Sequence, residues 1–256
     1  MQRLRDVIAE CRVISLPGST IRREHVTAVL GHQGIGFSFS EGVKAKRHFM
    51  GCSLAHRAAL DAIDRLPALV LEDDVAPFTA EIGLPDIPQD ADIVYLGVVP
   101  FGCLPDSEEN IGRFGHRAAS GLALASAAGA DWLRLHSMTG AFAILYVSQR
   151  GLDAWRGAVA QALELRRPFD IMTAYAMNSV KVYTPREPLF YEAAHLQRPL
   201  KFFTPTQRLG FTANPLRALA EGHQRIAHLG QEAVRVRAMS NKDGLLEWRL
   251  SEAARS

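Results

Sequence analysis

The sequence predicts an α/β fold, with a mostly parallel central sheet flanked by helices and a helical extension at the C-terminal end. Three observations lead there. Short apolar runs suited to buried strands recur at residues 12–16 (RVISL), 68–71 (ALVL), 92–96 (DIVYL) and 141–147 (AFAILYV). Between them lie segments whose apolar residues return at helical spacing, the alternation typical of layered α/β proteins with a largely parallel sheet. Finally, the run 68–71 steps directly into three acids, Glu72, Asp73 and Asp74. Such a step puts negative charge at the carboxyl edge of a sheet, where α/β proteins bind ligands.

The elements follow in order. The strand at 12–16 meets the turn Pro17-Gly18-Ser19, after which Thr20 can cap a helix with Val26, Val29 and Leu30 on its inner face. Residues 51–66 form a second helix, with Leu54, Ala58 and Ala62 on its apolar stripe and His56 off it. Residues 77–90, with three prolines, read as an irregular connection, and residues 101–120 as a long surface loop. Ser148 is placed to cap a helix that turns Leu152, Trp155 and Val159 inward. A helix over 169–177, a short strand over 180–184, an irregular stretch over 199–215 and an amphipathic helix over 216–236 complete the chain. Phe142 and Trp155 read as core residues, and so does Cys52.

At 256 residues the chain fits one large domain, or a domain with an appendage. Its 48% hydrophobic and 22% charged content is that of an ordinary globular protein. A net charge of +2 is too small to argue for a nucleic-acid partner, although basic residues gather in 217–237. Cys11, Cys52 and Cys103 form no CxxC pair and suggest neither structural zinc nor a disulfide framework. Charges interrupt residues 1–16 as they would not a signal peptide, and no segment approaches the ~20 apolar residues of a membrane span. The expected location is the cytoplasm. Neither GxGxxG nor GxxxxGK[ST] is present, so phosphates bound here need side chains or a metal.

Three adjacent acids repel one another unless a cation sits among them. A divalent cation with hard oxygen ligands is the simplest such partner, and it could in turn hold a phosphate. The alternative is that one acid caps the next helix and the others face water.

Several segments, taken in order, resemble glycosyltransferase family 25, the lipopolysaccharide-biosynthesis and collagen-type galactosyltransferase group. They are VISLPGSTIRRE (13–24), GCSLAHRAAL (51–60), LVLEDDV (69–75), DIVYLG (92–97), GAFAILYVSQRG (140–151) and PFDIMTAY (168–175). The resemblance implies a GT-A-like, Rossmann-like domain over residues 1–198, with residues 199–256 as an irregular segment and helical extension packed on it. It also implies a UDP-sugar donor, a saccharide or glycolipid acceptor and inversion at the anomeric carbon.

In that setting Glu72-Asp73-Asp74 looks like the family's version of the acidic DxD-type motif, which implies Mn²⁺ or Mg²⁺ on the donor diphosphate. Asp74 is the first candidate ligand and Glu72 the second, with Asp73 assigned to ribose or sugar hydroxyls. Inverting transfer needs a base for the acceptor hydroxyl. The residues alone read Asp170 as a helix cap; the resemblance makes it that base. Arg22 and Arg23 stand where the family has paired arginines. Cations at a helix N-terminus oppose its dipole by ~0.3–1 kcal/mol each, which suggests another use such as contact with the diphosphate, the alternative being a solvated helix face. His56 matches the family's GCxLxH histidine, a hydrogen-bonding residue on the donor side. His195 reads as a surface residue. The chain departs from the family after the first strand, where Asn-Leu-Asp-Arg is replaced by Ser15-Leu16-Pro17-Gly18.

The expected activity is transfer of a hexose, galactose in the first instance, onto a bacterial surface glycan. Residues 216–236 either dock on the sheet or on a second copy, or rest on the inner membrane. The rivals are a metal-dependent nucleotide-sugar phosphohydrolase and a non-catalytic sugar-nucleotide or glycan-binding module.

Overall fold

The computed structural model describes residues 1–97, 124–177, 179–187, 189–193 and 196, and two strands at 236–240 and 246–250. In order, the first elements are β1 (Gln2–Arg3), α1 (Leu4–Val7), β2 (Glu10–Ser15), α2 (Thr20–Gln33), β3 (Ser38–Glu41) and α3 (His48–Asp61). Next come β4 (Ala68–Glu72), β5 (Val75–Pro77), β6 (Gly83–Leu84) and β7 (Ile93–Tyr95). They are followed by β8 (Leu124–Ala127), β9 (Trp132–Ser137), β10 (Ala143–Tyr146), α4 (Gln149–Glu164) and α5 (Phe169–Ala176). The last are β11 (Val182–Pro185), β12 (Phe190–Glu192), β13 (Val236–Ser240) and β14 (Leu246–Leu250).

The α/β architecture is as expected, and the sheet is mixed. Its eight strands run in the order β3-β2-β4-β10-β7-β11-β9-β8. β3, β2 and β4 are mutually parallel, and β7 is parallel to β11. β10 and β9 run against their neighbours, so a mostly parallel sheet is a correct description of strand direction but not of every pairing. The central place of β10, between β4 and β7, has a sequence cause. Its run AILY is buried at all four positions and can be covered on both faces from a central place in the sheet.

Alternate strand residues feed two cores. On one face Ile14, Val70, Tyr95, Ile144 and Val182 pack with Ala59 and Leu60 of α3 and with Trp155 and Val159 of α4. On the other, Val13, Leu69, Leu71, Val94 and Leu145 pack with Val26 and Leu30 of α2. Leu152, Trp155 and Val159 are fully buried as expected, and Phe142 joins the second core. Ser148 is the N-cap of α4, its Oγ accepting from the Gly151 N–H at 3.1 Å.

Other details differ. Ser19, not Thr20, occupies the cap position of α2, and no side chain caps that helix. The buried face of α3 is Ser53, Ala55, His56, Ala59 and Leu60, while Leu54 is exposed. A face chosen by hydrophobicity fails here because His56 has partners inside. Cys52 is half-buried against His48 and is not a core residue. The short strands β3, β8 and β9 went unread, being polar, interrupted or adjacent to the supposed loop. Residues 83–84 form a strand within the otherwise irregular 77–90 connection, paired with β1.

The loop expected over 101–120, Cys103, His195 and the irregular 199–215 stretch lie outside the described residues. So does nearly all of the helix expected over 216–236. At Val236 the chain enters β13, which pairs antiparallel with β14, so the extension is not wholly helical. No helix among the described residues is long and apolar enough to cross a membrane.

Candidate functional site

The chain leaves β2, crosses through α2 to β3 on one side, then returns through α3 to β4 on the other side of β2. The carboxyl ends of β2 and β4 therefore flank a change in winding direction, the position where open α/β sheets bind ligands. Ile14 is level with Glu72, and Ser15 with Glu41. Glu72, Asp73 and Asp74 thus emerge at this edge, beside Ser15.

Successive acids turn to partners from opposite faces of the sheet. Glu72 turns towards α3, where His56 Nε2 lies 3.3 Å from its Oε1. His56 is 3% exposed, and its ring stacks on Phe169 at 4.4 Å between centroids. The His56 Nδ1 atom has no hydrogen-bond partner among the described residues. Asp73 turns towards α2, accepting from Ser15 Oγ at 2.7 Å and from Arg22 Nη1 at 2.9 Å. The same nitrogen is 3.0 Å from Asp74 Oδ2, and Arg22 Nη2 donates to the Leu196 carbonyl at 2.7 Å. The cation among these acids is thus a guanidinium from the first turn of α2.

Arg23 has a different environment. Its Nε donates to Ser15 Oγ, its Nη2 reaches the Ser15 carbonyl and Glu41, and its guanidinium lies 4.5 Å over the Phe39 ring. Arg22 and Arg23 therefore do not form one cationic pair: Arg22 neutralises the acidic motif, and Arg23 braces the strand edge beneath it. Ser15, where the resembled family has asparagine, orients Asp73.

Glu192 belongs to the cluster and was missed in the sequence. β12 pairs with β5 so that Glu192 is opposite Val75, and the Ala193 N–H donates to the Asp74 carbonyl at 2.7 Å. The signal available was an acid ending a short aromatic strand, FYE, as Glu72 ends β4. Its neighbourhood with Asp74 is set by long-range pairing that sequence spacing does not encode.

Electrostatics follow from this crowding. Burial and then repulsion from Glu72 push Asp74 up to about 7, against the pull of Arg22. Burial followed by Asp74 and Glu72 pushes Glu192 up to about 8. Burial also works against ionised Glu72, but the hydrogen bond and charge of His56, then Arg22 and His48, outweigh it and hold Glu72 below its ordinary range. For Arg22 the burial penalty is outweighed by Asp74, Asp73 and Glu72, so the guanidinium is held more firmly charged.

Asp170 enters from a separate element. It lies in the first turn of α5, whose cap position is Pro168, so Asp170 is not the cap. Its Oδ1 accepts from the Ile171 N–H at 2.9 Å. Burial raises its pKa, the backbone N–H groups of Ile171 and Gly140 partly offset this, and Glu72 adds to the rise. Asp170 and Glu72 also both act on Cys52, pushing its thiol up to about 12 after burial. The carboxylate of Asp170 is therefore within electrostatic reach of the acidic motif, beside the His48/Cys52/His56 side of α3.

The donor set suits a hard divalent cation: the carboxylates outnumber the cations facing them, and burial, with repulsion from their neighbours added, raises Asp74 and Glu192. No group of three or more His, Cys, Asp or Glu side chains among the described residues is arranged to hold a metal by itself. Mg²⁺-type sites commonly use one or two carboxylates and complete their shell with water and substrate phosphate. Glu72 and Asp74 fit that smaller role.

Compared with protein-family models and with curated proteins, the chain matches none of them.

Proposed function

We propose that the protein is an inverting glycosyltransferase that moves a hexose, galactose in the first instance, from a UDP-sugar to a saccharide of a bacterial surface glycolipid. One observation carries the reading. An acidic motif at the winding change of the sheet, bridged by Arg22, lies within electrostatic reach of a separate carboxylate, Asp170. Transfer with inversion needs that division: one region to neutralise the leaving diphosphate and another to take the acceptor's proton.

Glu72 and Asp74 would hold a Mn²⁺ or Mg²⁺ ion, which supplies Lewis-acid stabilisation of the diphosphate as it departs. Arg22 can contribute positive charge to the same phosphates because its guanidinium already lies at this edge. Asp73, oriented by Ser15, is available to sugar or ribose hydroxyls, and His56 fixes the carboxylate of Glu72. Arg23 acts indirectly, through Ser15. Asp170 accepts the acceptor hydroxyl's proton, and the rise in its pKa on burial makes its carboxylate a stronger base. Work at the cytoplasmic side of the inner membrane suits such an acceptor.

Glu192 favours a second reading, a nucleotide-sugar phosphohydrolase, because it adds a carboxylate beside Asp74 that could serve a further cation. That reading predicts cleavage of UDP-sugar at full rate without any acceptor. A crystal soak with UDP and Mn²⁺ tests the main reading. The diphosphate is expected against Glu72, Asp74 and Arg22; density elsewhere, or none at saturating UDP, would overturn it.

A further inference from the structure

The core beneath α4 and α5 holds three buried polar atoms that the transfer chemistry does not use. They are the hydroxyls of Tyr95 and Tyr146 and the indole N–H of Trp155, on residues no more than 1% exposed. None of the three has a hydrogen-bond partner among the described residues. Tyr95 of β7 is level with Ile144, and Tyr146 of β10 with Ile93, so the two tyrosines serve the same core face from adjacent strands. Trp155 meets Tyr95 edge-on, with ring centroids 6.4 Å apart.

All three groups can donate, and the indole can do nothing else. Their core is otherwise built of side chains such as Ile93, Ile144, Val159 and Val182, which offer no acceptor. A buried donor left without an acceptor lowers a folding equilibrium by about five- to a hundredfold. Three such losses multiply, and an equilibrium constant of about 10³–10⁸ leaves little room for them. The donors therefore call for a polar partner that is not part of the chain.

The surroundings say what that partner is. Tyr95 has Thr173 and Trp155 as hydrogen-bonding neighbours, yet no direct bond closes on its hydroxyl. Polar groups that come this near without bonding are commonly bridged by water. Thr173 is fully buried and donates through Oγ1 to the Asp170 carbonyl at 2.9 Å, which leaves the lone pairs of that oxygen for another donor. The charge of Asp170 also acts on the Tyr95 hydroxyl, which disfavours an anion and favours a neutral ligand. We propose that ordered internal water is bound among Tyr95, Tyr146, Trp155 and Thr173, and that it positions Asp170 by fixing the turn of α5 that Thr173 and Asp170 share. The water accepts from the buried donors and passes a hydrogen on to Thr173. Its role toward Asp170 rests on the transferase reading; the water itself does not.

The test joins a high-resolution crystal structure of the wild type with urea unfolding and transfer kinetics of Tyr95→Phe and Tyr146→Phe. Water density is expected within about 2.7–3.2 Å of Tyr95 Oη and Trp155 Nε1. Each variant should lower the folding equilibrium by about three- to tenfold, because a satisfied hydroxyl is lost. Tyr95→Phe should also lower kcat by about tenfold while the KM for UDP-sugar is unchanged, the effect of a slightly misplaced base. Variants more stable than the wild type overturn the inference, since removing an unsatisfied hydroxyl stabilises and removing a bonded one does not. A wild type without water density at this place overturns it too. Unchanged kcat in Tyr95→Phe overturns the positioning role. A wild type inactive in transfer removes the transferase reading and the positioning role with it, while density and unfolding still decide the water.

Discussion

The Arg22 guanidinium donates to Asp73 at 2.9 Å across 51 positions of sequence, and in doing so ties the first turn of α2 to the end of β4. The bond organises the edge, because the same nitrogen also meets Asp74. Removing it leaves two buried carboxylates without their cation. Breaking a fully buried pair costs ~3–5 kcal/mol, and Arg22 is 29% exposed, so Arg22→Ala should lose about 2–3 kcal/mol. Urea unfolding measures this. A loss below about 0.5 kcal/mol would mean that solvent already screens the acids.

Stability should also fall as pH rises. Asp74 ionises near 3.8 when unfolded and at about 7 when folded; Glu192 moves from 4.5 to about 8. Between those values the folded state binds more protons than the unfolded state, so the linkage slope is negative. Their contribution is complete below about pH 4 and lost progressively to about pH 8. Glu72 has the opposite sign: its folded value is depressed, so its contribution is present above its ordinary 4.5 and lost as the medium becomes more acid. Thermal melting should therefore be highest near pH 5, with a decline toward pH 8 that flattens in Glu192→Gln and Asp74→Asn. A melting temperature that rises from pH 5 to pH 8 would contradict this.

The same crowding predicts a metal response. Mn²⁺ with UDP should raise the melting temperature of the wild type, since a ligand at a hundred times its dissociation constant stabilises by ~2.7 kcal/mol. Asp74→Ala should lose most of that increment, and chelation should reverse it in the wild type. An equal increment in Asp74→Ala, read by differential scanning fluorimetry, would place the cation elsewhere.

Ser148 offers a structural control away from the site. Its side chain caps α4 and also donates to Asp92 Oδ1 at 2.5 Å. Ser148→Ala should cost about 1 kcal/mol or somewhat more in urea unfolding and leave UDP affinity unchanged. Altered UDP affinity in that variant would show that stability and the site are coupled.

Much of the framework was legible because its strands are continuous apolar runs: ALVL in β4, IVY in β7 and AILY in β10 are buried at all these positions. The acidic motif was legible for a related reason, since a charge step at the end of such a run has to lie at a sheet edge. The buried face of α3 was not, because His56 is inside through Glu72 and Phe169, partners far from it in sequence. Glu192 was hidden in the same way: nothing local says that β12 returns to β5. The role of Arg22 as the internal cation was hidden too, for a pair of arginines at a helix start reads alike whether it faces an acid or a substrate.

The most direct test of the account is Mn²⁺-dependent hexose transfer from a panel of UDP-sugars by the wild type, Asp74→Ala and Asp170→Asn. Asp170→Asn should lose about 10²–10⁴-fold in transfer rate while binding UDP normally, as expected for loss of a general base. Asp74→Ala should lose both transfer and the Mn²⁺ requirement for UDP binding. Full transfer by Asp170→Asn would contradict the assignment of the base, and UDP-sugar cleavage by the wild type at full rate without acceptor would contradict a transferase altogether.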